Sequence, residues 1–225
     1  MKISILGGTG DQGFGLALRF AKNHDIIIGS RKKEKAEEAV ENIKKILSSK
    51  GIEYKNIIGL DNRMASKEGE VIIVSLPYQH ILPTLANIRG ELKNKIVVSI
   101  GVPLATAIGD KPTRVIIPPQ GSVAEMIRDY LKESKVVSAF QNVCSKELEC
   151  IENPVDCDIL VCGDDEESKK VIINLIKDME GGCIGIDCGS LEMSRYVEQI
   201  TPLLIGLNIK YKLKGSGIRI TGLRD

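Results

Sequence analysis

Short apolar runs alternate along the chain with longer stretches in which apolar positions recur every three to four residues. The runs are rich in β-branched residues: "KISIL" (2–6), "DIIIG" (25–29), "NIIG" (56–59), "VIIVS" (71–75), "KIVVSI" (95–100), "TRVII" (113–117), "KVVSAF" (135–140), "DILVC" (158–162) and "CIGID" (183–187). Several are apolar throughout, the pattern of strands covered on both faces. Helical stretches lie between them. Residues 32–49 place Val40, Ile43, Ile46 and Leu47 on one stripe. Residues 121–132 open with Ser122 and Glu125, a capping-box spacing. Residues 165–179 follow "GDD", which makes Asp164 or Asp165 the expected N-cap. A long final helix is expected over about 190–211.

Alternating strand and helix signals predict an α/β fold: a Rossmann-like, doubly wound, mostly parallel sheet. Pro103, Pro112, Pro118 and Pro119 mark 101–121 as an irregular stretch over the sheet edge. The pattern restarts near residue 150. The expected division is a nucleotide-binding domain at 1–150 and a smaller α/β lobe at 151–225.

Composition narrows the function classes. Lys and Arg total 31 against 30 Asp and Glu, so no basic field exists for nucleic acid, and with no Trp and three Phe, base-stacking platforms are scarce. No apolar run approaches the roughly 20 residues of a membrane span, and a secretory leader pattern is missing from the first strand. A cytoplasmic protein is the expectation. Cys144, Cys150, Cys157, Cys162, Cys183 and Cys188 form no CxxC pair. They read as reduced thiols, with no metal constellation.

The first run ends in "GGTGDQGFG", with Gly8, Gly10 and Gly13 in G-x-G-x-x-G spacing directly before a helical stretch. Strand, glycine turn and helix together make a pyrophosphate cradle, because backbone amides and a helix N-terminus converge on the anion. A dinucleotide-binding chain that prefers NAD carries an acid about 20 residues beyond the first glycine, on the ribose 2′-hydroxyl. Here the second strand ends at Gly29 and is followed by Ser30 and Arg31, with Lys35 a turn later. A hydroxyl, a guanidinium and an ammonium suit a dianionic phosphate, so these residues predict NADP. Ser75, Tyr78 and Leu82 follow the fourth strand, and Val102 follows the fifth, at the sheet edge where a dinucleotide crosses. His80 receives no role.

An alcohol dehydrogenase needs a positioned acid or base. No Tyr-x-x-x-Lys pair or His–Asp pair is in place, which favours hydride transfer between two cofactors, with the protein supplying orientation. "LGGTGDQGFGLALRFA", "GSRKKEKAE", "VVSAF", "VCGDDEESKKVI" and "SRYVEQITPLL" resemble, over nearly the whole chain, the reductases that pass hydride between NADP and the deazaflavin coenzyme F420. The resemblance implies a deazaflavin in a cleft against the nicotinamide. It implies Thr9, Gly10, Asp11 and Gln12 at the pyrophosphate and Ser30, Arg31 and Lys35 at the 2′-phosphate. It also implies Gln141, Arg195, Gln199 and Thr201 near the deazaflavin. Gln141 stands where some members carry His, and Gln199 where some carry Ser. Residues 200–209, apolar on most sides, predict a homodimer or larger homo-oligomer through that helix. Two other readings remain open on the residues alone. One is an imine or ketone reductase of the pyrroline-carboxylate type, for which the helical C-terminus is short. The other is a non-catalytic NADP sensor.

Overall fold

The computed structural model describes residues 1–179 and 182–223. Its strands are β1 (Lys2–Leu6), β2 (Asp25–Ser30), β3 (Ile57–Asp61), β4 (Val71–Val74), β5 (Ile96–Ser99), β6 (Lys135–Ser138), β7 (Asp158–Gly163) and β8 (Ile184–Asp187). They form one sheet in the order β3-β2-β1-β4-β5-β6-β7-β8. All neighbours pair in parallel except β6 and β7, which run antiparallel with Val137 opposite Gly163. The helices are α1 (Asp11–Phe20), α2 (Lys33–Ser49), α3 (Asn62–Glu68), α4 (Tyr78–Ala86), α5 (Val123–Tyr130), α6 (Ser145–Glu149), α7 (Glu166–Lys177) and α8 (Ser194–Tyr211).

The strands' apolar runs feed two cores because side chains alternate across the sheet. Ile3, Ile5, Ile26 and Ile28 pack with Leu16 and Phe20 of α1 and Val40 and Ile43 of α2. Leu6, Ile27, Ile72, Val74 and Val97 pack on the other face with Ile81 and Leu85 of α4 and Val123 and Ile127 of α5. Fully buried parallel strands of this kind account for the absence of strict alternation. The chain leaves β3 and crosses β2 and β1 to place β4 beside β1, which opens a crevice beyond the C-terminal ends of β1 and β4.

Two expectations change. Residues 113–117 are not a strand: Val115 makes only an isolated bridge to Leu104, and Ile117 is exposed. Pro112 on one side and Pro118–Pro119 on the other remove ladder donors there. The final helix starts at Ser194, after a 3-10 turn at Leu191–Met193. Helices α3 and α6 were too short to show periodicity. The division near residue 150 falls between α6 and β7, yet the sheet runs through it, and Val137, Val161 and Cys183 share one core. The N-caps follow expectation: Ser122 accepts from Glu125 N–H at 3.1 Å, and Asp165, the second of the two candidate acids, from Ser168 N–H at 2.9 Å.

Candidate cofactor and substrate site

The crevice begins at the glycine turn. Gly7 adopts φ +82, where a side chain would also strike the Ser75 carbonyl. A Cβ on Gly13 would lie 2.9 Å from both the Gly7 oxygen and the Gly8 Cα. The turn can therefore hug β4 and α1 only with glycine at these positions. Gly10 is the N-cap of α1 and supplies no side-chain cap. The first turn's N–H groups thus face the crevice without a protein acceptor from the cap residue, a ready anion site.

From this turn a cavity of about 690 Å³ runs toward the ends of β2 and β3, bordered by Thr9, Gly10, Ser30, Arg31, Lys35 and Ser75. A second hollow of about 330 Å³ continues past Ser30 and Arg31 to Asn62, Arg63, His80 and Thr84. Arg31 and Lys35 are exposed at this end. Ser30 Oγ accepts the Lys32 N–H at 3.4 Å, and Ser30, Arg31, Lys32 and Lys35 border the same cavity. The acid of an NAD site is absent from the end of β2. Asp61, which ends β3, uses its carboxylate to cap α3 through Arg63 N–H (2.9 Å) and Met64 N–H (3.0 Å).

In the other direction the crevice opens into a cavity of about 460 Å³. It shares Gly10, Ser75, Leu76 and Pro77 with the first, so the two are one path across the sheet edge. Tyr78, Ile100, Val102, Phe140, Leu204 and Ile205 give it a largely apolar wall. Gln141 forms its polar floor. The Gln141 amide donates to Ser99 O (2.9 Å) and Ser138 Oγ (2.7 Å), while its Oε1 has no partner. Thr201 Oγ1 donates to the Gln141 carbonyl at 2.8 Å, which fastens α8 to the loop after β6. Gln12 Nε2 donates to the carbonyls of Phe140 and Val143, both at 3.2 Å, so the same loop is tied to the first turn of α1. Phe140 sits at φ +71, a left-handed conformation costly for a bulky residue and held by these contacts. Buried Arg19 donates to the carbonyls of Leu148 (2.9 Å), Glu147 (2.6 Å) and Cys150 (2.8 Å), pinning α6 onto α1.

The structure sorts the expected residues. Thr9, Gly10, Ser30, Arg31, Lys35 and Ser75 border the basic cavity; Asp11, Gln12, Tyr78, Val102, Gln141 and Thr201 border the apolar one. Leu82 instead packs against the core under α4. Arg195 and Gln199 lie away from the cavity. Arg195 grips Glu125 with Nε and Nη2, each at 2.8 Å, and Gln199 borders a groove on the outer side of α8. Positions 195 and 199 do share a helix face, but the cavity is walled by the face of Thr201, Leu204, Ile205 and Asn208. Sequence reasoning missed Asn62, His80, Leu204, Ile205, Asn208 and Ser216. For Asn62 the available signal was its place one residue past β3, at the C-terminal sheet edge. Ser216 comes from the segment after α8 and carried no local signal.

A family model described as "NADP oxidoreductase coenzyme F420-dependent" matches residues 2–103. An F420-dependent NADP reductase of Methanocaldococcus jannaschii is 70% identical over 223 residues, 99% of each chain. One from Methanothermobacter thermautotrophicus is 40% identical and covers 100% of this chain and 97% of its own. Among solved structures, a putative F420-dependent NADP reductase from Arthrobacter sp. FB24 superposes with a TM-score of 0.82 at 22% identity, over 98% of this chain and 99% of its own. A Plasmodium falciparum pyrroline carboxylate reductase shares the fold at a TM-score of 0.53 and 15% identity, over 95% of this chain and 71% of its own. A near-complete match at 70% identity, joined to a crevice with a glycine turn and a basic end, leads to one conclusion: this chain belongs to the F420-dependent NADP reductase family.

Proposed function

We propose that this protein transfers hydride between NADP(H) and coenzyme F420 in the crevice over β1, β4 and β5, with no metal and no covalent intermediate. One observation carries the reading. A single path leads from a basic, glycine-lined end to an apolar chamber with a partnerless Gln141 oxygen. The donor set fits NADP: Ser30, Arg31 and Lys35 for the 2′-phosphate, and Thr9, Gly10, Asp11 and Gln12 with the α1 N-terminus for the pyrophosphate. Because Gln12 Nε2 is engaged with the 140–143 loop, its contribution there is its backbone. Ser75 borders the junction of the two cavities and Tyr78 and Val102 the apolar chamber beside it, where the nicotinamide belongs in this reading. The apolar chamber takes the deazaflavin ring, with Gln141 and Thr201 as its polar edge. Arg195 and Gln199 have no part in this assignment, and Leu82 supports α4 from beneath.

The nicotinamide and deazaflavin rings supply the hydride chemistry when bound. The chain's contribution is orientation and exclusion of water: Leu204 and Ile205 close the chamber, and Gln12 and Thr201 hold its loop. In this reading residues 1–150 bind NADP and residues 151–225 supply the chamber's far wall. The same reading gives a cytoplasmic enzyme, since both substrates are soluble, and a homo-oligomer built through α8. Leu203, Ile209 and Tyr211 of that helix are each at least 60% exposed, apolar surface that contact with a second copy would cover in part.

The test is anaerobic mixing of the protein with NADPH and oxidised F420, following loss of the deazaflavin's visible absorbance, with NADH and flavin mononucleotide in parallel. Rapid bleaching only with NADPH and F420 is expected. Tight NADPH binding without bleaching would overturn the proposal.

A further inference from the structure

All six cysteines are free thiols, and two of them meet. β7 and β8 pair in parallel with Val161 opposite Asp187, so the next step along the ladder brings Cys162 beside Cys188. The Cys188 N–H donates to Val161 O at 2.8 Å, and the Gly163 N–H donates to Gly189 O at 3.0 Å. These bonds bracket the two cysteines and fix both backbones. Neighbouring strands lie about 4.8 Å apart. That spacing falls within the roughly 4.4–6.8 Å between Cα atoms that a disulfide spans. The side chains also share a face: Cys162 and Cys188 join Leu160, Ile186, Val197 and Ile200 in the small apolar cluster under α8. Ile159 and Val161 point into the opposite core.

The two thiols differ in access and acidity. Cys162 is fully buried, whereas Cys188 is partly exposed at the open end of β8, the sheet's edge strand. Contact with Cys162 holds the Cys188 thiol down to about 7, and contact with Cys188, together with burial, pushes Cys162 up. The Asp187 carboxylate beside the pair opposes the Cys188 thiolate, and the Lys169 ammonium, 2.9 Å from Asp187 Oδ1, offsets that carboxylate in part. Cys157 shows the contrast: burial first, then the nearby Glu147 carboxylate, pushes it up to about 12, the state of an inert core thiol. None of the residues proposed for hydride transfer touches this pair.

We infer that Cys162 and Cys188 form a redox-active dithiol, which a low-molecular-weight disulfide converts into an intramolecular bridge between β7 and β8. Cys188 thiolate attacks one sulfur of the reagent R–S–S–R. A Cys188–S–S–R bond forms and RS⁻ leaves. Cys162 then loses its proton and attacks the Cys188 sulfur, closing the bridge and releasing the second RS⁻. The dithiol gives up two electrons and two protons, and the reagent is reduced to two thiols. The bridge lies beneath Val197 and Ile200 of α8, one turn from the chamber residues Thr201 and Leu204.

The test exposes the reduced full-length protein to glutathione disulfide in a graded redox series, traps free thiols by alkylation and maps the peptides by mass. Loss of two of the six thiols together, with a Cys162–Cys188 linked peptide, is the expected result. In Cys162→Ala a stable glutathione adduct should collect on Cys188, and in Cys188→Ala Cys162 should stay unmodified. Cys162→Ser serves as a second variant should the alanine form fail to fold, with circular dichroism as the check. The proposal is overturned if both cysteines alkylate fully while the fold is intact, if adducts collect on Cys144 or Cys150 instead, or if Cys162 reacts at an unchanged rate without Cys188.

Discussion

Two helices of this molecule start at the same edge of the sheet and meet their unsatisfied N–H groups in opposite ways. At α1, glycines hold the turn, no side chain caps the helix, and the amides face an open crevice. At α5, the protein fills the equivalent position itself. Glu198 reaches from α8 and accepts Val123 N–H at 2.9 Å and Ala124 N–H at 3.1 Å, while Ser122 caps Glu125. Ser194 Oγ meets Ser122 Oγ at 2.7 Å, and Arg195 closes over Glu125. One N-terminus is left open to the crevice, an arrangement suited to an anion, and the other is sealed by a carboxyl. Burial makes the seal unusual: it outweighs the two N–H bonds and raises Glu198 to about 8, so near neutrality the group is largely a neutral acid. The comparison teaches that similar backbone geometry becomes a binding site or a structural joint according to what covers it.

The comparison breaks most severely at the open end. Gly13→Val drives a side chain into Gly7 and Gly8, and NADPH turnover should fall about 100-fold or more, because the pyrophosphate is displaced by the order of an ångström. Steady-state kinetics with a circular-dichroism check on folding decides it, and near-normal turnover would refute the phosphate-turn reading. Arg31→Ala comes next. Loss of a charged contact to the 2′-phosphate should raise the KM for NADP about 10- to 100-fold and leave that for NAD nearly unchanged. Equal changes for both cofactors would contradict the assignment of this basic end.

At the sealed end the effects are on stability. Glu198→Ala leaves two α5 donors buried without partners and should cost about 1–3 kcal/mol, measured by denaturant unfolding. The sign of the pH dependence follows from the raised acid. Between its ordinary value of 4.5 and about 8, the folded form holds a proton that the unfolded form has released. Stability should therefore decline as pH rises through that window. Glu198→Gln, which cannot ionise, should flatten the decline, and an unchanged slope would show that Glu198 is not the titrating group. Ser122→Ala is the smallest effect, about 1 kcal/mol for a lost cap, or a Tm lowered by about 2–4 °C. NADPH binding should be unaffected in that variant, which separates the joint from the site.

How much was legible beforehand depends on the range of the interaction. β1, the glycine turn and α1 are contiguous, and so are β2, Ser30, Arg31 and Lys35. Each is governed by local backbone sterics and by charge within a turn or two, and the residues alone pointed to that end of the crevice. The far chamber was only half legible. Gln141 and Thr201 border it, but Arg195 and Gln199 face the other way, because a helix rotates by 100° per residue and sequence does not say which side meets the sheet. The run at 113–117 has strand-like residues, yet two prolines downstream and one upstream leave it outside the ladder.

The sequence by itself determined the α/β alternation, the helix cap at Ser122 and the choice of Asp164 or Asp165 for the next, the glycine turn and the basic replacement for an acid after β2. All of these arise from neighbours along the chain. Only the tertiary structure decided that β7 turns antiparallel to extend the same sheet, that α8 seals α5 with Glu198 and walls the chamber with Leu204, Ile205 and Asn208, and that Cys162 stands beside Cys188. The physical reason is common to all three. Each contact joins residues far apart in sequence, and its free energy appears only when burial of the apolar faces has brought them together.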